Sequence, residues 1–305
     1  MRKINKNFIN EVENGIFNRA LDVDVSLYNL DYSDMPMSYV LVSLSMYQNK
    51  DGGFGHALEF DNVNPNSTAY ESYYALRIID EAHYTNYKED EGLEDISNHL
   101  FNYLYNRATT KNDMWLLKES ANDKFACALR FKGPDEASLP LSMGIIGYTL
   151  YFLDSNKVYY KKALDKLKKF SDKIISLDSL TINELYYFRV LVRALNKINY
   201  IDALKFENKY NELLNKLVDT DLEKNYYDFL DLFDGYTKDE VINQKIDLAL
   251  DNLIDDIKPH GMWEAIHSWG TEQIYPEADS AMIKWVGRAT RKAMHYIKIF
   301  ERIED

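Results

Sequence analysis

The sequence predicts an all-α protein, and three observations carry that expectation. Apolar residues recur at helical spacing from one end of the chain to the other. Two Thr-x-x-Glu signatures, Thr68/Glu71 and Thr181/Glu184, stand where a capping box opens a helix. No stretch alternates convincingly with the period of two that a half-buried strand requires. About ten to twelve helices are expected. No Pro/Gly/Ser linker or break in composition divides them, so residues 1–305 are expected to form one domain.

The first helix is expected over about Lys3 to Leu21, with Phe8, Val12, Ile16 and Ala20 at helical spacing. A second runs from Met35 to Tyr47, with Asp34 as its cap and Pro36 in its first turn. Tyr39, Val40, Leu41, Val42, Leu44 and Met46 nearly encircle it, which reads as an interior helix. Thr68 opens the next, carrying Tyr70, Tyr73, Tyr74, Ile78 and Ile79, and another covers Glu94 to Tyr105. Residues 106–124 are polar and weakly periodic, apart from Met114 to Leu117, and read as a long connection. Helices resume at about 136–153, 156–176, 181–197, 200–218 and 238–257, and the last runs from about Thr290 to Ile303.

Composition excludes several classes. Lys and Arg total 36 against 49 Asp and Glu, a net charge of -13 that lacks the basic footprint of a nucleic-acid binder. The densest basic run, Lys161 to Lys169, is interrupted by Asp165 and reads as a solvated helix face. Cys127 is the single cysteine, so neither an internal disulfide nor a multi-cysteine zinc site is available. The N-terminus has no apolar signal-peptide core, and the longest uncharged run, Ala137 to Leu153, falls short of the roughly 20 residues a bilayer needs. That run reads as a helix buried on all sides, and the protein as cytoplasmic without membrane insertion. The 24 tyrosines suit wide helix interfaces or a partly wet aromatic cavity, with plain core filling as the alternative.

The stretch Gln48 to Asp61, QNKDGGFGHALEFD, is the densest in glycines and ionisable groups. Its Asp51-Gly52-Gly53-Phe54 is echoed loosely by His260-Gly261-Met262-Trp263, each following a helix. Antiparallel helices of this kind form a bundle, a solenoid or a closed ring.

Gln48-x-x-Asp51-Gly52-Gly53-Phe54 resembles the repeat motif of the terpenoid cyclase and protein prenyltransferase superfamily. The run from Tyr47 through Leu76 is closest to an uncharacterised bacterial group of that superfamily, with Phe60 where the group carries proline. The C-terminal Trp269-Gly270, Tyr275-Pro276-Glu277-Ala278, Trp285, Gly287 and Thr290 resemble the same group. The resemblance implies an α/α toroid, a ring of helical hairpins around a central cavity. It also implies that Gln48, Asp51, Gly52, Gly53 and Phe54 are scaffold. It does not bring the superfamily's chemistry, because neither the acidic cyclase motif nor the prenyltransferase zinc pattern is present. No nucleotide motif occurs either, the glycine run lacking the lysine and hydroxyl of a phosphate loop.

Three groups of residues remain as candidates. His56, Glu59 and Asp61 combine a histidine with carboxylates, the arrangement of a tuned acid or base. A helical turn starting near Gly55 would set His56 and Glu59 on one face. The alternative is a hydrogen-bonded loop lock. His260, Glu264 and His267 have i, i+4, i+7 spacing, but Pro259 and Gly261 favour a turn, so no metal is expected. Trp263 and Trp269 of that cluster would wall a cavity or pack terminal helices, with His267 and Glu272 as further candidate ligand contacts. Tyr275, Glu277 and Asp279 form the third group, with capping and packing as the alternative. The ring closure that the resemblance implies would bring the 56–61 group and the 263–279 group together around one cavity. The expectation is therefore either acid/base chemistry on a carbohydrate or isoprenoid-like ligand, using His56, Glu59, Asp61 and Glu264, or a non-catalytic toroid that binds a ligand or protein.

Overall fold

Twelve α-helices and one small three-stranded sheet make up the described residues of the computed structural model, which are 1–218, 226–264 and 278–304. In chain order the helices are α1 (Lys6–Arg19), α2 (Asp22–Tyr32), α3 (Ser38–Ser45), α4 (Ala69–Glu81), α5 (Glu91–Asn106), α6 (Leu139–Phe152), α7 (Val158–Ile175), α8 (Ile182–Lys197), α9 (Ala203–Val218), α10 (Tyr226–Leu230), α11 (Glu240–Asp255) and α12 (Ala278–Ile299). The strands β1 (Thr110–Lys111), β2 (Met114–Lys118) and β3 (Glu136–Ala137) pair antiparallel in that order. The chain divides into a central unit, Val40–Asn215, and a terminal unit built from Met1–Tyr39 with Lys216–Asp305.

In the central unit α6 packs against both α4 and α8. Ser138 caps α6 by accepting from the Leu141 amide, Pro140 fits its first turn, and the helix is buried almost all round, as its uncharged sequence requires. Its glycines set the spacing. A Cβ on Gly147 would lie 2.8 Å from the Leu191 backbone of α8, so the two helices meet at backbone distance. A Cβ on Gly144 would lie 2.6 Å from the Tyr73 ring and 2.8 Å from the Tyr187 ring, so this glycine makes room for two tyrosines.

Both capping signatures open helices, but only one closes reciprocally. Thr181 and Glu184 form the full box at the start of α8. At α4 the Thr68 hydroxyl accepts from the Glu71 amide, while the Glu71 carboxylate accepts from the Glu59 amide at 2.8 Å. The cap of α4 is thus tied to the loop that holds the candidate carboxylates.

Four local expectations are corrected. The sheet lies partly in the stretch read as a structureless connection. Asn112 and Asp113 both have positive φ, the left-handed pair that a two-residue hairpin turn demands, and a sequence without glycine there hides it. The segment after Met35 yields only the short α3. It buries Val40, Leu41 and Leu44 but leaves Val42 and Met46 exposed, so it is not an interior helix. Between the first two expected helices lies an unexpected one, α2, whose acidic first turn suits a helix N-terminus. The last helix starts earlier than expected, and Asp279 sits in its first turn.

In the terminal unit α12 packs against α1, α2, α10 and α11. Asp24 of α2 is buried between Arg288 and Arg291 of α12, accepting from Arg288 at 3.1 Å and from Arg291 at 3.2 Å. Ile4 and Ile303 pair as a parallel bridge.

One local device recurs three times. Gly52, Asp113 and Gly261 each have positive φ, and each stands two residues before a fully buried aromatic: Phe54, Trp115 and Trp263. The amide of each aromatic donates to a hydroxyl on a following helix, Ser72 of α4, Ser142 of α6 and Thr290 of α12, at 3.1, 3.1 and 3.2 Å. The two indoles also donate alike, Trp115 to the Leu104 carbonyl and Trp263 to the Leu253 carbonyl, both at 2.7 Å. The loose echo in the sequence is a structural repeat, and Lys111-Asn112-Asp113-Met114-Trp115 is a further copy of it.

Candidate ligand-binding site

The Gln48–Asp61 stretch first builds a rigid corner. The Gln48 side-chain amide donates to the Gly52 carbonyl at 3.0 Å and to the Ile96 carbonyl of α5 at 3.1 Å. Asp51 accepts from the Gly53 amide and from the Ser67 hydroxyl. Gly52 has φ +94, and a Cβ there would lie 2.3 Å from the His99 carbonyl oxygen, so only glycine fits. These side chains hold backbone around the buried Phe54 ring.

After Gly55 the chain turns left-handed at His56 and Ala57, both with φ 59, and the expected right-handed turn does not form. His56 is exposed, its Nε2 2.9 Å from Asn49 Oδ1. Glu59 and Asp61 are instead buried, and both engage Arg130, Glu59 at 2.7 Å and Asp61 at 2.5 Å. The reversed backbone separates the histidine from the carboxylates.

Arg130 comes from the short 3-10 turn Leu129–Phe131, which is tied to the same loop. The Ala128 amide donates to the Asp61 carbonyl at 2.7 Å, Val63 donates to Ala126, and Asn62 pairs with Cys127. A buried asparagine set braces the loop, Asn64 donating to Asn122 at 2.8 Å. Cys127 is itself buried, and its thiol lies 3.6 Å from the Asn122 carbonyl. The Glu59 and Asp61 side chains are 2 % and 5 % exposed, whereas Arg130 keeps 43 %. Burial works against the guanidinium charge, and Glu59, Tyr70 and Asp61 outweigh it, so its pKa is raised. The result is an ionised cation that faces solvent on one side and is fixed by two acceptors on the other.

Tyrosines continue the site along α4 and α8. Tyr70 sits 4.9 Å from the Phe131 ring, and the Arg130 guanidinium lies over that same ring. Tyr73 and Tyr187 meet at 4.8 Å between centroids. Burial, then Glu59, pushes the Tyr70 phenol well up, and burial, then Tyr186, does the same to Tyr73. Both are therefore neutral hydroxyl donors at physiological pH. Tyr73 is 2 % exposed, and its hydroxyl is a buried polar atom with no hydrogen-bond partner among the described residues.

The remaining sequence candidates fall elsewhere. Trp263 is fully buried in the terminal unit, edge-on to Phe8. Glu264 is exposed, 4.0 Å from Lys258. His260 and Glu264 lie beyond the end of α11 and not on a continuous helix, so the helical ligand spacing is not realised. His267, Trp269, Glu272, Tyr275 and Glu277 lie outside the described residues. Among the described residues, no group of three His, Cys, Asp or Glu side chains stands ready to hold a metal, and no helix is long and apolar enough to cross a membrane.

Sequence reasoning missed Arg130, a lone arginine in an apolar turn that no motif marks. It also gave Tyr70 and Tyr73 no role beyond their place on a helix and did not single out Tyr186 or Tyr187, because the tyrosine count fits core filling as well as a cavity. No protein-family model, curated protein or solved structure matches this chain.

Proposed function

We propose that the central unit is a binding module for a neutral, hydroxyl-rich ligand of the saccharide class. The observation that carries this reading is Arg130, partly open to solvent yet held by two buried carboxylates over the Phe131 ring, on which Tyr70 packs. Fixed charged donors and acceptors next to aromatic faces suit a ligand that is polar at its edges and apolar on its faces. The Arg130–Glu59–Asp61 group carries one net negative charge, which disfavours an isoprenoid diphosphate. The buried carboxylates hold the guanidinium in place, and the exposed side of Arg130 presents the donors to the ligand. The α/α toroid implied by the sequence belongs to the same reading. It is supported by alternate helices packing together within each unit, α4 with α6 and α6 with α8, α10 with α12 and α12 with α2.

A thermal-shift screen tests it. Neutral saccharides raise the Tm of the wild type, isoprenoid diphosphates and divalent metals do not, and Arg130→Met abolishes the saccharide shift. Stabilisation by a diphosphate, with none by saccharides, overturns the reading.

Acid/base catalysis is a second reading, favoured by Glu119. Burial pushes its carboxyl up to about 7, near the working range of a general acid or base. It accepts from the Ala69 amide at 3.0 Å, one residue before Tyr70. Turnover of a bound saccharide that is lost in Glu119→Gln while binding persists would favour this reading over simple binding.

A further inference from the structure

Resting on the saccharide reading, we propose that the site does not end at Arg130. It continues along α4 and α8 to a second subsite at Arg193, so that the ligand is a linear oligosaccharide and not a single sugar.

The stripe begins at Tyr70 and Tyr73 and continues through Arg77 to Asp80 and Glu81, a helical i, i+3/i+4 series on α4. Side chains of α8 meet it at three points. Tyr187 meets Tyr73, the Arg77 guanidinium lies 4.4 Å over the Tyr186 ring, and Arg193 bonds Asp80 at 2.5 Å. From Tyr70 to Glu81 the helix rises about 16 Å, longer than one sugar ring.

The far end repeats the chemistry of the near end. At Arg130 a partly exposed guanidinium is fixed by carboxylates beside an aromatic ring. At Arg193 a guanidinium with 27 % exposure is fixed by Asp80 and lies 4.4 Å over the Tyr151 ring. Asp80 is braced further by the Tyr148 hydroxyl, which in turn meets the Tyr186 hydroxyl at 3.1 Å.

A second observation points to a ligand. Two buried donors on this stripe have no partner among the described residues, the Tyr73 hydroxyl and Arg193 Nε. Buried donors are normally satisfied, and two of them on one polar aromatic stripe fit ligand hydroxyls as acceptors. The ion pairs Arg77–Glu81 and Arg193–Asp80 hold the two guanidiniums in place along the stripe.

The experiment is calorimetric titration of the full chain with glucose, maltose, maltotriose and maltotetraose, repeated with the corresponding β-1,4 glucose and N-acetylglucosamine series. The proposal expects at least one series whose affinity rises tenfold or more between monomer and tetramer. Arg193→Met should remove that gain and leave monomer affinity within twofold of the wild type. Asp80→Asn, which keeps the side-chain volume, serves if Arg193→Met does not fold. Affinity that is flat with chain length overturns the second subsite while leaving the saccharide reading intact. So does equal weakening of monomer and tetramer by Arg193→Met. Absence of binding in all three series overturns both.

Discussion

Arg130 carries the local electrostatics of the site. Replacing it with methionine leaves Glu59 and Asp61 buried without their cation, and a broken buried pair costs far more than an exposed one. With Arg130 partly solvated, the expected loss is about 1–3 kcal/mol by urea denaturation. Combining it with Glu59→Gln should recover part of that loss, because the second change removes one of the two buried carboxylates that Arg130 engages. Glu119 behaves in the opposite sense. Its folded-state pKa, about 7, lies above the ordinary carboxylate value of 4.5, so the folded protein resists its ionisation. Stability is therefore unaffected by this group below about pH 4.5, falls as pH rises towards 7, and carries the full penalty above that. Glu119→Gln should flatten that slope and stabilise the protein at pH 8 by up to about 3 kcal/mol, measured by denaturation across pH. The sequence displayed Glu59 and Asp61 as chemistry-bearing residues but not the arginine between them. A contact spanning 71 positions leaves no trace in local spacing.

At the scale of elements the helices were largely legible, because an apolar stripe at helical spacing is a strong and local signal. Thr181 with Glu184 announced α8, and the uncharged 137–153 run announced the buried α6. The losses have equally physical reasons. The hairpin turn at Asn112–Asp113 uses left-handed residues without glycine, and Glu71 looked like a reciprocal cap although its carboxylate is spent on the Glu59 amide. The threefold device makes a further prediction at this scale. Ser72→Ala, Ser142→Ala and Thr290→Val each deprive one buried aromatic amide of its acceptor. Each should cost about 1–3 kcal/mol by equilibrium unfolding, and the three values should agree within about 1 kcal/mol. A negligible cost at Ser142 alone would remove Trp115 from the repeat.

For the whole molecule, the chain contributes its two ends to one unit and its middle to the other. The terminal unit depends on contacts of high sequence separation. Phe8 packs on Trp263, Gly15 leaves room for Met262, and Ile4 pairs with Ile303. Phe8 is half-buried, so Phe8→Ala uncovers the edge of Trp263 and should cost about 1–3 kcal/mol. Hydrogen exchange should then speed up across α1, α11 and α12 while α4, α6 and α8 keep their protection. Uniform acceleration through both units would show that they open as one. Such long-range closure is the part of the architecture that a single sequence reveals least, since periodicity identifies a helix and not its neighbour.

Cys127 gives the 59–64 loop a chemical clock. It is the single thiol of the chain, buried beside Asn62 and three residues before Arg130, and burial raises its pKa. A disulfide reagent reaches it only when the 126–131 turn lifts from the 59–64 loop. At saturating reagent the modification rate therefore equals the opening rate of that turn, read without any added label. A ligand that bridges Arg130 and Tyr70 should slow it in proportion to occupancy.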